Sequence, residues 1–209
     1  MRDVKGYRQF CGVARTLDVV GERWSILILR DLFLGPRRFA ALQQGLMGIS
    51  PGVLSQRLRQ LLESDLIEKT GEGVYRLTSL GREFEPVVLA LGAFGARFLD
   101  APRADDQMDP RWAMLSLKRR FRGTRGKGTV EFAVGQQTFG VRFRETSIDV
   151  WDGQAPRWNA RGSGEGTAWF SLLSGRQPLS TLTATGAIEL DGDKAMARRF
   201  LKAIGARLR

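Results

Sequence analysis

The chain has 209 residues, room for one large domain or two of ordinary size, and 43% are apolar, enough to pack a core. It has no histidine and a single cysteine, Cys11, which excludes Ser-His-Asp and Cys-His catalysis, histidine-containing metal sites, thiolate clusters and intrachain disulfides, so no metal or other cofactor is expected. With 33 Lys+Arg against 22 Asp+Glu the formal net charge is +11, an excess that suits nucleic acid or a membrane surface without choosing between them.

No basic start is followed by an apolar run, and no stretch of about 20 uninterrupted apolar residues occurs. We therefore expect a cytoplasmic protein with no integral membrane association. Val13 to Leu34 is apolar and periodic, with Trp24, Ile28 and Leu32 at i, i+4 and i+8, which predicts one central helix ended by Gly35 and Pro36. Pro36 to Gln44 predicts a short helix with Phe39 and Leu42 three apart, and Gly45 to Gly48 a break.

Ser50 then has the chemistry of an N-cap, its hydroxyl able to accept an orphan backbone N–H, and Pro51 sits where its missing donor matters least. At about 100° per residue, Leu54, Leu58 and Leu61 share one stripe, bordered by Val53 and Leu62. Gly52, Ser55, Gln56, Arg59 and Glu63 fall opposite. Hydroxyl, amide and guanidinium groups are the set that reaches base edges and phosphates in a major groove, although an ordinary amphipathic surface helix shows a similar division. Two short helices joined by a glycine-bearing turn, the second polar on its outer face, make a helix-turn-helix. Ser55, Gln56 and Arg59 are the expected base readers; Arg38, Ser50, Lys69 and Arg76 are expected to hold phosphates, and Gly52 lies on the same polar stripe. Arg57 falls off that stripe, which predicts an intramolecular partner.

Ile67 to Thr70 and Val74 to Leu77 read as strands around Gly71, Glu72 and Gly73, a hairpin placed like a wing. Thr78 or Ser79 caps a further helix running to about Asp100, kinked at Pro86. It carries Val87 and a greasy set, Phe84, Val88, Leu91, Phe94 and Phe98, expected to pair with a second copy. The DNA-binding domain is thus placed at residues 1–100, with a polar, proline-bearing linker at 101–110 and a second domain at 111–209.

In the second domain, Asp109 and Pro110 open a helix with Trp112 and Leu115 inward, followed by a basic cluster, Lys118, Arg119, Arg120, Arg122, Arg125 and Lys127. From Gly128 the period changes to two: Val130, Phe132 and Val134, then Phe139, Val141 and Phe143, then Ile148 and Val150, three strands of an antiparallel meander. Trp158 is read as opening a fourth strand, Arg161 to Gly166 as a Gly/Ser-rich run, Thr167 to Leu173 as a helix, Ala184 to Asp193 as a last strand and Lys194 to Ile204 as a closing amphipathic helix. Residues 1–103 hold 15 basic and 11 acidic side chains, net +4, and residues 104–209 hold 18 and 11, net +7, so bulk charge is not what marks the first half as DNA-binding.

Cys11, Gly21 to Trp24, Ile28 to Arg30, Arg38 and Phe39 with Leu42, Gly48 to Ser50, Leu54 with Leu58 and Arg59, Leu66 and Ile67, and Leu77 to Gly81 together resemble the HxlR-type winged helix-turn-helix regulators. The resemblance covers roughly Cys11 to Phe98. It implies a dimeric bacterial transcription factor that binds a double-stranded DNA operator, with the helix after Ser50 in the major groove and the wing beside it. The hairpin here lacks the longer wing with Pro and Tyr that is usual in the family. The family's N-terminal cysteine is present as Cys11, and in some members it senses oxidants or electrophiles; the residues alone favour a buried, inert thiol at this position.

The meander, Gly175, and Gly186 to Asp193 followed by a helix resemble the sterol-carrier-protein-like lipid-binding fold. That resemblance implies an antiparallel sheet covered by helices around an apolar cavity, an α+β chain overall, and an apolar small-molecule effector lined by Trp112, Phe132, Phe143, Trp151, Trp158 and Trp169, unless those aromatics are plain core. The leading expectation is a ligand-responsive, non-enzymatic transcriptional regulator. The alternative is a lipid-binding or carrier protein whose helix-turn-helix serves oligomerisation or protein binding.

Overall fold

The computed structural model describes residues 6–99, 103 and 105–209. The chain divides into two compact units, Met1–Gln107 and Met108–Arg209. Residue 100, at the end of the expected first domain, and residues 101, 102 and 104 of the expected linker lie outside the described residues.

In the first unit the predicted central helix is two helices, α1 (Gly12–Val20) and α2 (Ser25–Leu32), a correction with a local cause. Gly21 closes α1 by donating to the Leu17 carbonyl, and Trp24 takes a left-handed conformation (φ 85°) that re-aims the chain. The turn directs Ile28, Leu29 and Leu32 of α2 into a core that also holds Leu42, Leu54, Leu58, Leu61, Ile67 and Leu77. Arg37 and Arg38, expected to open a helix, form a two-residue strand, β1 (Arg37–Arg38), and α3 (Phe39–Gly45) begins one residue later.

The helix α4 (Pro51–Glu63) follows, with Ser50 accepting from the Val53 N–H at 3.3 Å. Next come β2 (Ile67–Lys69) and β3 (Val74–Leu77). The sheet order is β1-β3-β2, all antiparallel, so the wing is anchored on a third strand. Thr78 caps α5 (Ser79–Glu83), and after Phe84 the chain re-enters helix as α6 (Glu85–Gly95) with Pro86 in its first turn, then a 3-10 turn Ala96–Phe98.

The second unit opens with α7 (Pro110–Arg120), capped by Asp109. Strands β4 (Gly128–Val134), β5 (Gln137–Phe143) and β6 (Ile148–Asp152) form the expected meander. The fourth strand is β7 (Ala160–Gly164), not a segment opened by Trp158, and it is made by the run read as a Gly/Ser loop. Then follow α8 (Gly166–Leu173), the unforeseen short α9 (Leu179–Ala184), β8 (Ile188–Gly192) and α10 (Lys194–Ala203).

The sheet order is β6-β5-β4-β7-β8, and β4 pairs with β7 in parallel, so the sheet is mixed and not antiparallel throughout. The chain leaving β6 must pass β5 and β4 before it can pair again. It does so over the polar sheet face, where the Ala155 N–H donates to the buried Glu131 carboxylate at 3.0 Å. The opposite face, with Val130, Phe132, Phe139, Val141 and Phe143, is buried beneath the helices.

Candidate nucleic-acid interface

The apolar stripe of α4 is fully inserted: Leu54, Leu58 and Leu61 are at most 2% exposed. That insertion fixes the helix rotation, and the opposite stripe follows from it. Gly52, Ser55, Gln56 and Arg59 are all exposed, and a Cβ at Gly52 would meet nothing within 4 Å. None of Ser55, Gln56 and Arg59 has a side-chain hydrogen bond or ion pair among the described residues. The strip is therefore open to an external partner with no internal contact to break first.

Arg57 does what its position off the strip predicts. Its guanidinium donates to the Arg23 carbonyl (3.3 Å), to Gln60 Oε1 (2.6 Å) and to Glu22 Oε2 (2.8 Å). The side chain is 13% exposed, and it ties α4 to the turn between α1 and α2.

The wing cations are placed differently. Arg38 donates to the Glu72 carbonyl at 2.9 Å and lies 3.8 Å from its carboxylate. Arg76 pairs with Glu68 across the β2–β3 ladder at 2.7 Å, and the Lys69 ammonium stands 5.5 Å from the Tyr75 ring. Both ion pairs are exposed, a class worth about 0–1 kcal/mol, so exchanging a carboxylate for a phosphate is energetically cheap. The strand β1, not legible in the sequence, is what brings Arg38 to the hairpin tip.

The greasy set of the last helix of the first unit divides. Phe84 packs on the unit's core and Val88 is 8% exposed, so these two face inward and do not belong to a free surface. Leu91, Phe94 and Phe98 are 46%, 60% and 70% exposed, joined by Val87 and by Leu99. Phe10, Val13 and Leu17 are also exposed apolar residues of this unit; their i, i+3 and i+7 spacing was the available signal.

Cys11 is exposed, not buried. The thiol precedes α1, and the backbone N–H groups of Ala14 and then Val13 hold its pKa below the ordinary value by favouring the thiolate. Because the thiolate exists above the folded-state pKa, iodoacetamide alkylation is expected to persist at lower pH than for a free cysteine peptide. A pH–rate midpoint at or above that of the peptide would contradict this.

The six aromatics expected to line one cavity do not converge on a common one. Phe132 packs edge-on to Trp169 (5.1 Å) and lies 6.0 Å from Phe200, and Phe143 stacks on Phe200 (5.2 Å). These three are core. Trp151 lies on the other sheet face, over Gly140, and donates to the Gln154 carbonyl. Trp158 is 36% exposed in the return segment, and Trp112 is half-buried on α7. They separate because alternate residues of a strand face opposite ways, so Phe132 and Phe143 take one face and Trp151 the other, while Trp112, Trp158 and Trp169 come from outside the sheet.

Residues 19–103 match the HxlR-like helix-turn-helix family. Over 96 residues the chain is 41% identical to Rv3095 of Mycobacterium tuberculosis, named as an uncharacterized HTH-type transcriptional regulator, covering 43% of this chain and 60% of that protein. Over 96 residues it is 38% identical to sll1512 of Synechocystis sp., also named as an HTH-type transcriptional regulator, covering 43% of this chain and 71% of that protein. Among solved structures it is similar to quinone-bound YodB from Bacillus subtilis, with 28% identity over 42% of this chain and 99% of that one and a TM-score of 0.40. The chain thus spans about 60% of the length of the mycobacterial relatives it matches.

Proposed function

The chain belongs to the HxlR-like helix-turn-helix family, and on that premise we propose that it is a DNA-binding transcriptional regulator whose α4 enters the major groove of an operator. The observation that carries the reading is the unengaged strip Ser55, Gln56 and Arg59, held at a fixed rotation by Leu54, Leu58 and Leu61. Gln56 and Arg59 make bidentate base contacts, each worth about 1–3 kcal/mol of discrimination. Arg38, Ser50, Lys69 and Arg76 hold phosphates, which sets register without reading sequence.

Selection from a randomised duplex pool tests this. The wild-type chain enriches a defined sequence; Gln56→Ala flattens the preference at one base pair by about 5- to 150-fold, the equivalent of that discrimination. Arg38→Ala weakens all duplexes alike and lowers the salt slope by about 0.9. A pool that emerges unenriched, or a Gln56→Ala preference identical to wild type, removes the base-reading role.

We also propose that Leu91, Phe94 and Phe98, with Val87 and Leu99, pack against a second copy, giving a homodimer that reads two half-sites about 34–36 Å apart. The second unit is proposed as a sensor in the manner of sterol-carrier-like folds, a reading supported by its sheet with helices on one face. An apolar effector entering there must part Phe132, Phe143 and Trp169 from their ring contacts. Native mass spectrometry of protein purified from its host reports both points: a dimer carrying an apolar adduct sustains them, a bare monomer removes them. The place of action is the cytoplasm, where a bacterial genome lies. Among the described residues no helix is long and apolar enough to cross a membrane.

A further inference from the structure

The basic excess of the second unit is organised. On α10, Met196, Ala197, Phe200 and Leu201 are buried, while Lys194, Arg198, Arg199 and Lys202 occupy the exposed face with only Ala195 among them. Lys194, Arg198 and Lys202 are successive i, i+4 neighbours, a like-charge arrangement that works against the helix itself. The segment 122–128 runs beside this helix: the Arg122 N–H donates to the Ala203 carbonyl at its end, and Gly128 lies against Met196 near its start. Arg122, Arg125 and Lys127 are exposed along that segment.

None of these seven cations has an ion-pair partner among the described residues. The nearby acids do not neutralise them. Asp193 is occupied as the cap of α10, accepting from the Met196 N–H at 2.8 Å, and Glu145 is met through its carbonyl, which accepts from the Thr124 N–H. Glu189 shares with Lys194 and Arg198 a shallow depression between α9, β8 and α10. By contrast Arg120, within the basic cluster of the sequence, is half-buried and spent internally on the Leu173 and Ile204 carbonyls.

We propose that this face of α10, with the 122–127 segment, is a second duplex contact that grips phosphates without reading bases. Guanidinium and ammonium groups suit phosphate oxygens, and this face of α10 presents them as a run of like charges without the amide and hydroxyl groups that stand beside Arg59 on α4. A lipid surface is the poorer match, because a helix that lies in a bilayer interface inserts its apolar side, and that of α10 is buried in the unit's core. The inference rests on the DNA-binding reading only in that α4 brings the duplex, raising its effective concentration at the second unit.

The test compares the full chain with its K194Q/R198Q/R199Q/K202Q variant, titrating one operator duplex and one random duplex over a range of salt. The variant's slope of log K against log salt is expected to shrink by about 1.8–3.6, at about 0.9 for each of two to four phosphates no longer neutralised. Its preference among duplex sequences stays as in wild type, its melting temperature is not lowered, and R198K/R199K keeps the wild-type slope. An unchanged slope in a folded quadruple variant overturns the proposal. So does a slope that stays constant while the variant alone stops co-sedimenting with phosphatidylglycerol vesicles, which assigns the face to lipid. If wild type shows no sequence preference yet the random-duplex slope still falls in the variant, the regulator reading fails and the α10 contact stands.

Discussion

Phe200→Ala is expected to remove about 3–5 kcal/mol from the second unit, the range for deleting a fully buried phenyl group. Phe200 is 0% exposed, and its ring meets Phe121 at 6.2 Å, Phe132 at 6.0 Å and Phe143 at 5.2 Å. It therefore joins the closing helix to two central strands and to the chain just beyond α7. Phe132 and Phe143 cannot move to fill the void, because their backbones are held in the sheet. Domains of this size are stable by about 5–15 kcal/mol, so the loss is a large fraction of the total. The melting transition of the unit is expected to fall by more than about 12 °C. Near-ultraviolet circular dichroism follows it, since Trp112, Trp151, Trp158 and Trp169 all belong to this unit. A shift of under about 2 °C would mean that the aromatic cluster is not the centre of the core.

Gly81→Ala is the corresponding change in the first unit, and it acts by collision. A Cβ there would lie 1.9 Å from the Leu66 carbonyl oxygen and 2.9 Å from its carbon. Those are backbone atoms, so no side-chain rotation relieves the clash. The same Leu66 oxygen accepts from the Thr78 N–H (3.2 Å), while the Thr78 hydroxyl accepts from the Gly81 N–H (3.0 Å) and donates to the Asp65 carbonyl (2.5 Å). The start of α5 is thus strapped onto the turn that joins α4 to the wing. We expect destabilisation at or above the upper end of the about 1–3 kcal/mol typical of overpacking. Duplex binding should be lost with it, because that turn fixes the end of α4 relative to the hairpin. Gly92→Ala is the control: it is also helical, nothing lies within 4 Å of its added Cβ, and it is expected to be neutral or stabilising by up to about 1 kcal/mol. Equal melting temperatures for the two variants would show that the approach of Gly81 to Leu66 is not a constraint.

Much of the interface was readable from residue chemistry and spacing. Ser50 and Pro51 mark a helix start whatever surrounds them. Leu54, Leu58 and Leu61 recur at helical spacing, so the polar strip opposite follows by geometry, as does the displacement of Arg57 from it. The break at Gly21–Trp24 was not readable, because an apolar period continues equally well through a straight helix or a turned one. Nor was β1, since two arginines become a strand only when the β2–β3 hairpin offers them an edge.

The second unit shows the same division. Strand alternation in β4, β5 and β6 is a local property with a period of two, and it is plain in Val130 to Val150. The residues of β7 carry no such pattern. Gly162 is required because the Trp169 ring lies 2.8 Å from where its Cβ would be, and Gly164 because the Ala187 carbonyl lies 2.5 Å from its own. Glycines that look like a loop are glycines because other elements press on them.

Taken alone, the amino-acid order determined the local features of this protein: where helices start, which stripe of α4 is apolar, where strands alternate, and that no histidine chemistry exists. Tertiary structure alone decided which greasy residues are spent and which remain available. Phe84 and Val88 turn inward while Leu91, Phe94 and Phe98 stay exposed, the aromatics of the sheet divide between its two faces, and four cations of α10 are left without acids. The physical reason is that periodicity is written within one element, whereas burial and charge pairing depend on atoms contributed by residues far away along the chain.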